Sequence, residues 1–282
     1  MGNGAFTGVT GYVYLIYKML QRGWITEVEK QEKLRLTERM TDYILLSLET
    51  SDRFDVLTGL AGILGVYTSL YPYTNGNFAT KALDIIKNTA NLLLERCLVC
   101  DDATTTWFTN HDIGYVHGNT GIIVQLARAN IILKKKEIEK IIKTTLQYER
   151  LHSYDTETQE WTLRENAHYF SWCNGIAGMV MGKMALAEAG IKDEHLKDEM
   201  EQMLDQLKAT GFGLDVCLCH GDMGSLCILN NVARYLKHWD VVTGCHSTCE
   251  KVLEKKVKTN DIYVLEDWGL MTGATGVGLG LL

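Results

Sequence analysis

The chain has 282 residues, 46% of them hydrophobic, which is enough for a sizeable core. Its formal net charge of −7, with Lys and Arg scattered, argues against a nucleic-acid partner held through phosphates, and no apolar run reaches membrane-spanning length. The opening MGNGAFTGVTGYVYL lacks the basic start of a secretory signal, so the expected location is the cytoplasm. There the eight cysteines should be thiols or metal ligands, not disulfides.

A single proline, Pro72, and clustered glycines point to many helices joined by glycine-bearing turns. In chain order, one spelling recurs: Gly8-Val-Thr-Gly11, Gly59-Leu-Ala-Gly62, Gly118-Asn-Thr-Gly121, Gly175-Ile-Ala-Gly178, Gly221-Asp-Met-Gly224 and Gly273-Ala-Thr-Gly276. Successive first glycines lie 46 to 59 residues apart. Each opens a run apolar on most sides, such as GILGVYTSLY or GMVMGKMALA, which reads as a buried helix. Between them lie amphipathic segments. Residues 27 to 48 carry Leu36, Met40, Tyr43 and Ser47 at helical spacing, and residues 79 to 96 carry Leu83, Ile86, Ala90 and Leu93. Residues 193 to 208 and 246 to 258 look similar, and Lys134-Lys135-Lys136 reads as a solvated helix end. The expectation is an all-α fold of inner and outer helices, stacked as an open superhelix or closed as an α/α toroid.

Register favours the toroid. The residue before each first glycine is Thr7, Thr58, His117, Asn174, His220 or Thr272, and one step earlier stand Phe6, Leu57, Val116, Cys173, Cys219 and Met271. A closed ring would gather Cys173, Cys219, His220 and His117 at its axis. Two thiolates and an imidazole leave a tetrahedral zinc one vacant position, the pattern of a catalytic site. Helix N-termini favour the thiolates, so Cys173, Cys219 and His220 are the expected Zn(2+) ligands. A buried cysteine is otherwise a small hydrophobe, and Cys217 is the nearest rival for the Cys219 role. Cys97 and Cys100 form a Cys-x-x-Cys without a second pair, and Cys227, Cys245 and Cys249 read as bystanders.

These residues resemble the lanthionine synthetase C-like (LanC-like) cyclases. SWCNGIAG (171–178) is similar to the family's Trp-Cys-x-Gly motif, CHGDMG (219–224) to its Cys-His-Gly motif, and GYVHGNTG (114–121) to its Gly-x-x-His-Gly-x-x-Gly motif. GAFTGVTGYVYLIY, DVLTGLAGILGVYTSLY and GLMTGATGVGLGLL resemble the C-terminal cyclase domain of class II (LanM-type) lanthipeptide synthetases. The resemblance implies one LanC-like domain over residues 1–282, an α/α toroid lacking the first of seven helical repeats and so N-terminally shortened. It implies a zinc-dependent addition of Cys thiols, in a dehydrated lanthipeptide precursor, to dehydroalanine or dehydrobutyrine, with a dehydratase as a further partner. By motif match the metal ligands again fall on Cys173, Cys219 and His220, the active-site histidine on His117 and the active-site aspartate on Asp55. On this reading His117 protonates the α-carbon after thiol attack and Asp55 orients it or takes the thiol proton; Asp55 as a helix cap is the plainer alternative. Tyr169 stands where class I relatives carry arginine, and nothing assigns a role to the nearby Arg164 and His168. Alternatives are addition of glutathione to dehydro residues, or an inactive zinc- and peptide-binding module. A glycosidase on the same fold would need two placed carboxylates, such as Asp55 and Asp222, and would leave Cys and His without a task.

Overall fold

The computed structural model describes residues 2–110, 112–162, 170–210, 212, 215–258 and 269–280, so Arg164, His168 and Tyr169 lie outside the described residues. The helices are α1 (Val9–Gln21), α2 (Glu27–Ser47), α3 (Leu60–Leu70), α4 (Gly76–Glu95), α5 (Asn119–Leu133), α6 (Lys136–Ser153), α7 (Ile176–Glu188), α8 (Leu196–Thr210), α9 (Asp222–Leu236), α10 (Trp239–Lys258) and α11 (Ala274–Gly280). The only strands among the described residues are two small antiparallel hairpins. One pairs β1 (Leu98–Val99) with β2 (Thr105–Thr106), the other β3 (Tyr154–Asp155) with β4 (Glu160–Trp161). The class is all-α, as the repeat predicts.

Every odd-numbered helix starts at a Gly-x-x-Gly. The first glycine is an extended N-cap, nearly the same in three repeats: φ −108° and ψ −167° at Gly59, −111° and −177° at Gly175, −114° and −178° at Gly221, with Gly8 at −139° and −172°. No positive φ is involved. Close approach is what demands glycine, because the turn doubles back on itself. A Cβ on the second glycine would lie 2.1 Å from the Val56 carbonyl oxygen at Gly62, 2.0 Å from that of Trp172 at Gly178 and 2.0 Å from that of Leu218 at Gly224. The carbonyl in each case belongs to the residue six positions earlier. The backbone folded this tightly fixes where the following helix begins.

The chain divides into two compact units, Met1–Asn110 with Gly121–Tyr148, and His111–Thr120 with Glu149–Leu282. In the first, α1 packs on α2 and α3, and α4 covers both α2 and α3. Leu60, Ile63, Leu64, Tyr67 and Leu70 of α3 are fully buried there. In the second, α7 packs on α8 and α9, and α9 also meets α8, α10 and α11. Burial on most sides of α3, α7 and α9 matches their continuous apolar runs.

The outer helices depart from expectation in informative ways. On α2 the buried stripe is Thr37, Thr41 and Ile44, followed by Leu48, whereas Leu36 and Tyr43 are exposed. Threonines can face the core because their hydroxyls find partners: Thr37 Oγ1 donates to the Leu34 carbonyl, and Thr41 Oγ1 lies 2.8 Å from the Tyr67 hydroxyl. At about 100° per residue, Val28, Leu36, Tyr43 and Leu46 form an arc on the opposite side, all exposed. On α4, Ile86, Ala90 and Leu93 are buried as expected, with Leu83 half-buried. The three lysines join two helices: Lys134 takes a left-handed turn (φ 54°) between α5 and α6, and Lys135 Nζ donates to Asn91 Oδ1. The helix after them, α6, buries Ile138, Ile142 and Leu146. α10 begins seven residues before the expected 246.

These contacts set opposite expectations for two alanine substitutions. Gly62→Ala drives a methyl into backbone and should destabilise the fold by roughly 1–3 kcal/mol. Gly244→Ala, inside α10 with nothing within 4 Å of the added carbon, should stabilise it by up to about 1 kcal/mol. Denaturant unfolding of the two variants measures both.

Candidate metal centre

The turns before the odd helices are tied to one another through a single backbone position, two residues before each first glycine. In the first unit Phe6 N–H donates to the Leu57 carbonyl at 3.1 Å. In the second, Val116 N–H donates to Cys173 C=O at 2.8 Å, Cys173 N–H to Cys219 C=O at 3.2 Å, and Cys219 N–H to Met271 C=O at 2.9 Å. This is the column that holds Cys173 and Cys219. Their side chains converge because their main chains are hydrogen-bonded neighbours.

A second regularity lies four residues before the first glycine in three of the six turns, where a side chain accepts the N–H of the residue three positions on; Gly4, Gly114 and Gly269 fill that position in the others. Asp55 Oδ1 accepts from Thr58 N at 2.8 Å, Ser171 Oγ from Asn174 N at 3.1 Å and Cys217 Sγ from His220 N at 3.5 Å. The position is a cap for the turn. Ser171 also bonds Cys173, Oγ to Sγ at 3.4 Å. Sequence reasoning did not find this column, because aspartate, serine, cysteine and three glycines share the position.

One ligand atom each from Cys173, Cys219 and His220 lies within 4.8 Å of the others. Zinc bonds of about 2.0–2.3 Å place tetrahedral ligand atoms roughly 3.5–3.8 Å apart, so small side-chain adjustments close this set on an ion. Cys173 is buried while Cys219 and His220 are half-buried, which leaves one side of the cluster accessible. The Cys173 thiol is pushed down to about 5, chiefly by a hydrogen bond from Cys219, with Ser171 and His220 assisting against burial. The same bond pushes Cys219 up. His220 Nε2 stands 3.6 Å from Asp215 Oδ2. An overlapping set, Asp215, Cys217 and His220, also satisfies the distance condition. Its thiol is the weaker donor: burial pushes Cys217 up and its sulfur already accepts the His220 N–H.

His117, half-buried, lies in the same unit, one residue past Val116, whose N–H bonds Cys173. Asp55 belongs to the other unit, is buried, and has both oxygens on Thr58: Oδ1 on its N–H and Oδ2 on its hydroxyl at 2.8 Å. The remaining cysteines are free thiols. Burial pushes Cys97 up to about 11 and raises Cys227, Cys245 and Cys249 as well.

With this geometry in view, comparison with known proteins is decisive. The family described as "Lanthionine synthetase C-like protein" matches residues 1–282. The chain belongs to that family. Among curated relatives, this LanC-like chain is 28% identical over 189 residues to "Lacticin 481/lactococcin biosynthesis protein LcnDR2" of Lactococcus lactis subsp. lactis. That match covers 60% of the chain but 20% of the relative, so the chain spans about a fifth of that protein's length. Among solved structures, "Nisin cyclase" superposes with a TM-score of 0.75 at 17% identity, over 100% of this chain and 76% of that one. The fold is thus that of nisin cyclase, an α/α toroid. Among the described residues, no helix is long and apolar enough to cross a membrane.

Asp55 makes a testable claim on stability. Asp55→Ala removes both bonds to Thr58 and should cost about 0.5–2 kcal/mol. Asp55→Asn, which keeps an acceptor for the Thr58 N–H, should cost less, as urea unfolding of the pair will show.

Proposed function

We propose that this LanC-like domain is a zinc-dependent lanthipeptide cyclase, adding cysteine thiols of a dehydrated precursor peptide to dehydroalanine or dehydrobutyrine to form thioether rings. The observation that supports it most is the accessible cluster of two sulfurs and one imidazole nitrogen at the turns of adjacent repeats, in a chain of this family. Cys173, Cys219 and His220 would hold the ion; their chemistry suits zinc, and three protein ligands leave a position open. When bound, the ion supplies the Lewis acidity that keeps an incoming peptide thiol deprotonated at neutral pH.

The chain's own residues do the rest. Ser171 fixes the Cys173 sulfur, and the Asp215 carboxylate, 3.6 Å from His220 Nε2, helps hold the ring. Attack of sulfur on the β-carbon develops an enolate, and the α-carbon must then take a proton. His117 is the donor in this reading, since histidine exchanges protons near neutrality and this one stands on the turn bonded to Cys173. Asp55 is the weaker member, because the Thr58 bonds already account for its burial.

The same reading makes the chain a cytoplasmic enzyme that works with a dehydratase, on one or more segments of a precursor peptide.

Purified protein should carry about one zinc per chain and close rings in a dehydrated, cysteine-containing peptide, read as thiols lost to alkylation without a mass change. Cys173→Ala or Cys219→Ala should abolish metal and cyclisation together; full metal content in either would refute the ligand assignment. His117→Ala should keep the metal and slow ring closure by roughly 10²–10⁴-fold. Loss of metal in that variant would instead make His117 a ligand. Peptide products bearing glutathione, formed at the expense of rings when glutathione is added, would favour intermolecular addition.

A further inference from the structure

At the foot of the His117 turn, one hydroxyl sits between two acceptors. Thr120 Oγ1 is 2.5 Å from the Ile113 carbonyl oxygen and 2.6 Å from Glu149 Oε1. A hydroxyl has one proton, and a carbonyl can only accept. Two such short contacts share a single hydroxyl proton poorly; each is a full hydrogen bond when Thr120 donates to Ile113 and Glu149 donates to Thr120, which requires Glu149 to carry a proton.

The surrounding charges agree. Glu149 on α6 and Lys183 on α7 are completely buried. The charged groups facing Glu149 are Lys183, its Nζ 3.5 Å from Oε2, and Glu199 of α8. Lys183 is closer to Glu199, at 2.8 Å, and stands over the Trp161 ring at 4.7 Å from its centroid. Arg150 also bonds Glu199 through Nε and grips Asp193 with both terminal nitrogens, at 2.7 and 3.1 Å. Two cations therefore already face two anions, and an ionised Glu149 would leave an unbalanced charge out of reach of water. Burial holds the Glu149 carboxyl above the usual range, with Lys183 pulling the other way. Glu199, despite its own burial, is held below that range by Lys183 and Arg150. Packing fixes the hydroxyl's partner as well: a Cβ on Gly182 would meet Thr120 Cγ2 at 2.2 Å, so α7 presses on the threonine methyl.

We propose that Glu149 is a neutral carboxylic acid in the folded protein, donating to Thr120, which in turn clasps the Ile113 carbonyl and so positions the turn that carries His117. The step from positioned turn to faster chemistry rests on the role of His117 proposed above. Glu149 touches no substrate; it acts through Thr120. The loop it fixes, residues 113–120, is also held by Asn119 N–H on the Asp112 carbonyl and Thr120 N–H on the Ile113 carbonyl.

Glu149→Gln tests this directly, since an amide N–H replaces the acid proton without the ability to ionise. At neutral pH the parent should show the infrared C=O stretch of a protonated, buried carboxyl, and the Gln variant should lack it. The parent should also lose stability relative to the variant as pH rises from about 4.3, where an unfolded glutamate ionises, towards the raised folded value. The sign follows because the folded state keeps a proton that the unfolded chain releases. In cyclisation assays the Gln variant should keep kcat, while Glu149→Ala lowers kcat with zinc content and KM unchanged. Absence of the infrared band, identical pH dependence in parent and Gln variant, or equal kcat loss in the Gln and Ala variants would each overturn the proposal. The infrared and pH measurements read Glu149 whether or not the chain closes rings, so failure there is distinct from failure of the His117 role.

Discussion

The structure depends on a backbone hydrogen bond repeated between turns. Residues two places before each first glycine bond one another, Val116 to Cys173, Cys173 to Cys219, Cys219 to Met271, and separately Phe6 to Leu57. Main-chain groups cannot be left unpaired in a packed interior, so the turns must meet in register. Once they do, side chains more than forty residues apart become neighbours. The metal cluster is a by-product of that satisfaction: two of its three ligands occupy the bonded column and the third is the next residue along. A shift of one residue in the Cys173 or Cys219 turn would pair a different side chain and dissolve the site.

Glycine makes such turns possible, and helix packing makes them worth forming. The double-back that places a carbonyl about 2 Å from where a Cβ would stand also aims the next helix, and the apolar runs of α3, α7 and α9 bury that helix on most sides. The cap four residues before the glycine closes the system. Asp55, Ser171 and Cys217 are chemically unlike, yet each accepts the same N–H. The one shared duty accounts for a buried aspartate and a buried cysteine without assigning either to catalysis.

What the sequence displayed plainly was whatever repeats. The starts of α1, α3, α5, α7, α9 and α11 could be read from Gly-x-x-Gly alone, and the ligand column emerged by aligning those turns. Features without a repeat or an apolar period were not legible. The inward stripe of α2 is led by threonines, so an apolar pattern pointed to Leu36 and Tyr43 on the wrong face. The two-residue strands are too short to show alternation. The start of α6 was hidden by a lysine run that resembled an end, although Ile138, Ile142 and Leu146 follow it at helical spacing. The ionic group around Lys183 joins residues from 149 to 199, each ordinary in its own window, and only folding makes them a unit.

The indifference of the Gly-x-x-Gly turn to the residue just before it has an evolutionary consequence. Threonine, histidine and asparagine all stand at that position, at residues 7, 58, 117, 174, 220 and 272, while the N-cap dihedrals of the following glycine stay nearly constant across Thr58, Asn174 and His220. Thr58 does bond the Asp55 carboxylate through its hydroxyl, but the backbone turn also forms with histidine or asparagine there, so each turn is a socket whose contents can be exchanged by single substitutions. Descendants of such a chain could lose, relocate or invent reactivity one socket at a time, without renegotiating the architecture that carries it.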